Sequence, residues 1–356
     1  MHEKFLHAFN CVPGISYQVF TKLWWQFKNW QYAWEKSDVV TLANAKISEN
    51  FIAEFSKFRK NFDVENELEK LWESDIVAIG RDHPEFPFLL KQIPDPPFMI
   101  YRKGAPLTNQ PLHIAMVGTR RSTLYGEKIA YELAKALTKQ GTIVVSGLAL
   151  GIDAVSHFGA VSEQKPTIAI LGSGLNHITP STNHQLAANI LKHSGTIISE
   201  HAPHTPAFPI NFIQRNRLIA GLSQATVVIE AGIKSGALIT AYRALEQNRD
   251  LYALPGDIHR DQSQGCNKLI AAGAYPIISI DDTLQKLGFA PEAKKSFALT
   301  EQEKSLMEAI LTQPISSDAL AKQTSLPSHK LNVLLSTLEL KGAIKKNKAM
   351  LWEVVI

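Results

Sequence analysis

Two arginine pairs stand beside glycine and hydroxyl residues, and their spacing suits the grip of an anion. In Val117-Gly118-Thr119-Arg120-Arg121-Ser122-Thr123 an apolar run breaks at glycine, and a helical pattern begins at Leu124. A strand that turns into a helix in this way offers backbone amides and the positive end of a helix dipole. Gly118 and Thr119 let the backbone come close to a phosphate, and Arg120 or Arg121 can hold it through a charge-assisted fork. The alternative is a solvated basic loop. Further on, Asn211-Phe212-Ile213-Gln214-Arg215-Asn216-Arg217 sets two arginines around an asparagine near a helix start, where their charge opposes the dipole. Such a pair wants an external phosphate or a carboxylate partner, with Glu200 and Glu230 as candidates. After Glu230-Ala231-Gly232, the stretch Ser235-Gly236-Ala237 is a second glycine-rich loop before a helix and adds amides to the same edge.

Ser146-Gly147 and Gly172-Ser173-Gly174 end two more apolar runs. The second is not a dinucleotide fingerprint: His177 stands at the third glycine position, the motif follows the third strand, and no acidic ribose partner lies at the usual distance. No cofactor is therefore expected. Asp153 and His157 are four residues apart and share a helix face. They suit acid–base chemistry, or a plainer arrangement in which Asp153 braces the turn and His157 bonds within the fold. Several anion-binding loops on one sheet edge fit successive phosphates, a nucleic-acid backbone, better than one mononucleotide. The nearest aromatics for base stacking, Phe158, Phe208 and Tyr242, suit the core equally well.

These loops need elements to hold them. From Ile114 onward, short apolar runs alternate with helical patterns: IAMVG, TIVVSG, TIAILG, TIISE, ATVVIEA, LYALPG and AYPIISI, each followed or preceded by a helix. That order predicts an α/β, doubly wound, mainly parallel sheet covered on both faces, with ligands beyond the carboxyl ends of its strands. The sequence divides into residues 1–75, 76–290 and 298–356. The first part is helical from Cys11 to about Ser74, with Trp24, Phe27 and Trp30, then Phe51, Phe55 and Phe58, at three- and four-residue spacings. Its Val12-Pro13-Gly14-Ile15 turn is either a helix-hairpin-helix hairpin or a plain turn between helices. Between Ile76 and Pro111 the prolines Pro84, Pro87, Pro94, Pro96, Pro97 and Pro106 forbid long helices, which reads as an ordered connector. After a polar linker at 290–298, a capping-box pair Thr300 and Glu303, a cap at Ser317, a helix opening after Pro327 and a hairpin around Lys346-Asn347-Lys348 predict a winged helix. Its third helix offers His329, Lys330, Asn332, Ser336 and Thr337, a thin face for DNA or for a partner protein.

The 356 residues are 45% hydrophobic and carry a net charge of +4, enough for a core and too mild by itself to establish a nucleic-acid partner. Cys11 and Cys266 stand far apart with no CxxC, so a disulfide framework or a zinc cluster is not expected; both read as inert, and no metal is expected. With no apolar run near the ~18 residues of a membrane span and no signal-peptide pattern, the cytoplasm is the expected compartment.

Taken in order, these blocks resemble the DprA/Smf family of DNA-processing proteins. The resemblance rests on GTRRST from Gly118, SGLALGIDAVSH from Ser146, AILGSGL from Ala169, SEHAP from Ser199, FPINFIQRNRLIAGLS from Phe208, VVIEAGIKSGALITA from Val227, then ALPGDI and GCNKLIAAGA. It implies a Rossmann-like fold, flanked by an N-terminal helical domain (SAM/helix-hairpin-helix-like) and a C-terminal winged helix. It implies single-stranded DNA binding, a homodimer, and loading of the recombinase RecA in natural transformation rather than catalysis. Arg120 matches the arginine of the family's GxR motif, and Gly118, Arg215-Asn216-Arg217 and Ser235-Gly236 match blocks lining the same pocket. One departure stands at Ile178-Thr179-Pro180-Ser181-Thr182-Asn183, where family members often carry a lysine. The alternative is a nucleotide phosphoribohydrolase of a related Rossmann-like family, whose PGGxGT segment is replaced here by Glu230-Ala231-Gly232-Ile233-Lys234-Ser235-Gly236.

Overall fold

In the computed structural model, which describes residues 2–290 and 299–354 apart from 312, 325 and 348, the chain divides into two compact units, Met1–Ala290 and Pro291–Ile356. The first is built on a nine-stranded sheet: β1 (Val77–Gly80), β2 (Met99–Gly104), β3 (His113–Val117), β4 (Ile143–Ser146), β5 (Thr167–Leu171), β6 (Thr196–Ser199), β7 (Ala225–Val228), β8 (Asp250–Ala253) and β9 (Tyr275–Pro276). Their order is β1-β2-β6-β5-β4-β3-β7-β8-β9. From β6 to β9 all neighbours run parallel, and β1 and β2 join antiparallel at one end.

The seven expected strands all form, and the parallel ones are buried on both faces, as continuous apolar runs require. Alternation sorts their side chains: Ile114 and Met116 enter one core cluster with Leu133 and Leu137, and Ala115 and Val117 enter another with Leu218 and Ile219. The chain winds outward from β3 in one direction through β4, β5 and β6, then returns to β7 on its other side. The strands β3 and β7 therefore flank the switch point, where the loops diverge and leave a crevice.

The proline-rich stretch is more than a connector, since it supplies β1 and β2. Its prolines from Pro84 to Pro97 fall between these strands, so both ladders keep their amide donors. The N-terminal helices begin at His2, earlier than expected, because Phe5, Leu6 and Phe9 already form an apolar face. Phe9 stacks on Phe55 at 5.4 Å and meets Trp34 edge-on at 5.1 Å. These rings share one apolar cluster with Met99 and Tyr101 of β2, Ala169 of β5 and Ile197 of β6, so the helices cover that end of the sheet.

The second unit holds helices Glu301–Leu311, Ser317–Thr324 and Ser328–Leu340 and a hairpin of β10 (Ile344–Lys346) and β11 (Trp352–Val354). The capping box forms: the Thr300 amide donates to Glu303 Oε2 at 2.8 Å and the Glu303 amide to Thr300 Oγ1 at 3.3 Å. The second helix is capped by Ser316, whose hydroxyl accepts from the Ala319 amide at 3.3 Å, and not by Ser317. Ser317 Oγ instead accepts from the Trp352 indole at 2.9 Å, tying helix to hairpin. The expected linker, Ala290 aside, and Lys348 of the hairpin lie outside the described residues.

Candidate nucleic-acid interface

The crevice at the switch point has a volume of about 530 Å³. One wall is the β3 loop, with Gly118, Thr119, Arg120 and Arg121; the other is the start of helix Gly236–Glu246, with Ser235, Gly236 and Thr240. Helix Pro209–Gly221 crosses beneath, contributing Phe212, Arg215 and Asn216. Eight of the thirteen residues singled out in the sequence thus line one opening.

The helix that follows β3 does not offer the free N-terminus expected of it. Glu230, 4% exposed, enters from the end of β7, and its carboxylate accepts from the Thr123 amide at 2.9 Å and the Thr123 hydroxyl at 2.6 Å. Thr123 in turn caps the Gly126 amide at 3.1 Å. The chain's own carboxylate therefore fills the anion position at that helix start. The Thr119 amide also donates inward, to the Glu230 carbonyl at 2.7 Å.

The side chains of Arg120 and Arg121 are left over. Both are exposed, and among the described residues neither guanidinium has a carboxylate partner. Arg120 lies 5.8 Å from the centroid of the Phe212 ring. Across the opening, Ser235 caps its helix through the Ala237 amide at 3.3 Å, and its carbonyl takes the Leu238 amide at 3.1 Å. Among the described residues the Gly236 amide has no partner, and a Cβ at Gly236 would meet nothing within 4 Å. Two guanidinium groups without a carboxylate partner among the described residues thus line one opening with an unpaired helix-start amide, an arrangement suited to an anion.

Arg215 forms the floor. It is 4% exposed and donates to the carbonyls of Gly147, at 2.7 Å, and Ile170. Burial depresses its pKa to about 10, with Asp153 opposing and Arg120 adding to the shift. Asp153 accepts from the Gly147 amide at 3.1 Å, and burial raises its pKa against the pull of Arg215. A Cβ at Gly147 would lie 2.5 Å from the guanidinium, so the residue must be glycine for Arg215 to reach the strand ends. Gly151, at φ 74°, would clash with the Thr119 carbonyl if it bore a side chain, and so lets the β3 and β4 loops touch.

His157 is turned away: its Nδ1 lies 2.8 Å from Thr167 Oγ1, and burial drives its pKa to about 3. Asp153 and His157 do not form an acid–base pair, so the plainer reading of both holds.

Five of the singled-out residues stand outside the opening. Ser146 is fully buried and donates to the Met116 carbonyl at 2.6 Å, joining β4 to β3. Gly147 packs beneath Arg215, Gly172 against Phe212, and Gly174 against the backbone of Ala202 and Pro203. Arg217 lies nearly opposite Arg215 on its helix and pairs with both oxygens of Glu200, at 2.6 and 2.7 Å, and with Asp95 at 3.1 Å. It realises the carboxylate alternative. Phe158, Phe208 and Tyr242 do not line the crevice, whereas Phe212 does. Phe212 had a signal, its place one turn before Arg215, but its apolar neighbours disguised it as core. The Ile178–Asn183 segment also lies outside, with Asn183 bonded to the Leu148 carbonyl at 2.9 Å.

In the second unit, the helix Ser328–Leu340 buries Leu331, Leu335 and Leu338 and exposes His329, Lys330, Asn332 and Ser336. Thr337 returns its hydroxyl to the Val333 carbonyl at 2.8 Å. Among the described residues, no helix is long and apolar enough to cross a membrane.

Comparison with known proteins agrees with both units. Residues 77–288 match the family model for DNA recombination-mediator protein A, and residues 290–347 match that for the DprA winged helix domain. DNA processing protein DprA of Bacillus subtilis is 40% identical over 216 residues, 60% of this chain and 72% of that protein. The X-ray structure of DprA from Streptococcus pneumoniae superposes with a TM-score of 0.68 at 28% identity, covering 81% of this chain and 99% of that one. DNA processing protein A from Helicobacter pylori, whose structure addresses its single-stranded DNA binding mode, superposes with a TM-score of 0.54 at 30% identity, over 60% of this chain and 95% of that one.

Proposed function

The chain belongs to the DNA recombination-mediator protein A family, and from that membership we propose that it binds single-stranded DNA through the switch-point crevice, without catalysing a reaction. The observation that carries this reading is the pair of exposed guanidinium groups of Arg120 and Arg121, without a carboxylate partner among the described residues, lining one opening with Gly236. Phosphates of the strand lie between them, with Thr119, Asn216 and Ser235 as further polar groups and Gly236 allowing close approach, while the missing side chain of Gly118 makes room for buried Ile152. Phe212 offers a ring face that every base can meet. Ser146, Gly147, Gly172 and Gly174 support the loops from beneath. The Helicobacter pylori neighbour supports the choice of single strand over duplex.

The proposal includes homodimer formation, transfer of the strand to RecA in transformation and recombination, and a cytoplasmic setting; the resemblance to DprA/Smf proteins supports these. The test is binding of the full chain to labelled single-stranded and duplex oligonucleotides across salt, beside an assay for adenine released from adenosine monophosphate. Tight, sequence-tolerant, salt-sensitive binding of the single strand with no adenine release is expected. Adenine release, or no preference for the single strand, would return the phosphoribohydrolase reading.

A further inference from the structure

A second and larger opening, of about 940 Å³, lies in the first unit between the N-terminal helices and the loops that follow β6. Its wall includes His7, Cys11 and Glu67, residues the DNA crevice does not use. We propose that these three side chains bind one zinc-class divalent cation, with a fourth coordination position open to the cavity.

The three are brought together by two helices. His7 and Cys11 are one turn apart and face the same way, the Cys11 amide donating to the His7 carbonyl at 3.1 Å. Glu67 comes from helix Val64–Glu73, which packs alongside. Their ligand atoms all lie within 4.8 Å of one another, and Cys11 Sγ is 3.8 Å from His7 Nε2. With Zn–S of about 2.3 Å and Zn–N of about 2.0–2.1 Å, a tetrahedral ion holds its sulfur and nitrogen ligands about 3.6 Å apart. Cys11 Sγ lies equally far, 3.8 Å, from His7 Nδ1, so the sulfur must swing toward the Nε2 side for both ligands to reach one ion. One nitrogen, one sulfur and one carboxylate oxygen form a donor set that zinc favours over magnesium or calcium.

The surroundings have the features of a second shell. Tyr101, fully buried on β2, places its hydroxyl 2.7 Å from His7 Nδ1, which leaves Nε2 as the coordinating nitrogen. Glu67 gives Oε1 to the Lys70 ammonium, and Oε2 remains for the cation. Burial, and next the charge of Glu67, push the Cys11 thiol up to about 12, with Lys70 opposing. A cation takes the place of the thiol proton: a zinc–sulfur bond forms, the S–H bond breaks, and one proton leaves to solvent. Three protein ligands rather than four leave one position for water or a ligand from the cavity.

The test is titration of the chelator-treated full chain with cobalt(II) chloride, followed by zinc chloride. One equivalent of cobalt is expected to produce a thiolate-to-cobalt charge-transfer band and the visible bands of a four-coordinate ion, and zinc should remove both. Cys11→Ser should abolish the charge-transfer band, and Cys266→Ser should keep it. Tyr101→Phe should keep the band but weaken cobalt binding by about 10- to 100-fold, as loss of an orienting partner does. No band at one equivalent, or a band that survives Cys11→Ser, overturns the site. If Cys11→Ser does not fold by circular dichroism, Tyr101→Phe and Glu67→Gln decide: affinity unchanged in both sinks the proposal.

Discussion

Replacing Arg120 by alanine separates a DNA contact from a structural role with unusual clarity, because the structure gives the two readings opposite signs. Arg120 is exposed and has no carboxylate partner among the described residues, and its charge acts against that of buried Arg215. Its removal relieves repulsion inside the protein, so Tm should stay level or rise slightly. On DNA, loss of a hydrogen bond to a charged group costs about 1.5–3 kcal/mol, roughly 10- to 150-fold in affinity. One phosphate contact fewer also makes the salt dependence shallower by about 0.7 in the log–log slope for a single strand. Between about 50 and about 200 mM salt, a fourfold range, that slope difference makes the defect about 2.6-fold smaller at the higher salt. The assay is fluorescence anisotropy with a labelled homopolymer strand at four or more salt concentrations, paired with thermal denaturation. An unchanged slope, or a loss of affinity that follows a fall in Tm, would refute the assignment of a phosphate to Arg120.

Further outcomes follow from the same geometry. Gly236→Ala should leave Tm nearly unchanged, because a Cβ there meets nothing, yet weaken single-strand binding by filling the space a phosphate needs, whereas Gly147→Ala should lower Tm through its clash with Arg215. Arg215→Met strips two carbonyls of their donor and leaves Asp153 buried without its cation; a loss of about 3–5 kcal/mol by chemical denaturation is expected, with partial recovery when Asp153→Asn is added. His113 and His157 have folded-state pKa values depressed to about 4 and 3 by burial, so the stability they contribute is complete above their unfolded value and lost as pH falls below it. At about pH 5, some 1.5 units below an unfolded pKa of about 6.5, each ring should cost about 2 kcal/mol relative to neutral pH, and His157→Gln should remove its share of the decline in a denaturant–pH series.

Much of this could be read from residue order. Continuous apolar runs such as IAMV and TIAIL are legible because a strand buried on both faces has no polar positions to blur its signal. The loops between them were legible by their glycines and arginines. What residue order hides is the direction a side chain takes. Arg215 and Arg217 look alike in sequence, but two steps of a helix turn them to opposite sides, one beneath the crevice and one onto Glu200 and Asp95. The free helix start at Thr123 was misread for a related reason, since Glu230 reaches it across 107 residues of chain. Likewise β1 and β2 escaped detection, because prolines between two short strands look the same as prolines within a loop.

That carboxylate crossing from β7 to the Thr123 turn has a mechanical meaning. At the switch point β3 and β7 pair side by side, and the loops that follow them diverge around the opening. Glu230 acts as a tie rod between them, anchored by two short bonds at one end and by the backbone of β7 at the other. On the proposed function, the slot between Arg120 and Gly236 is thus set to width before a strand arrives, and an incoming backbone need not spend its binding energy on holding the lips together.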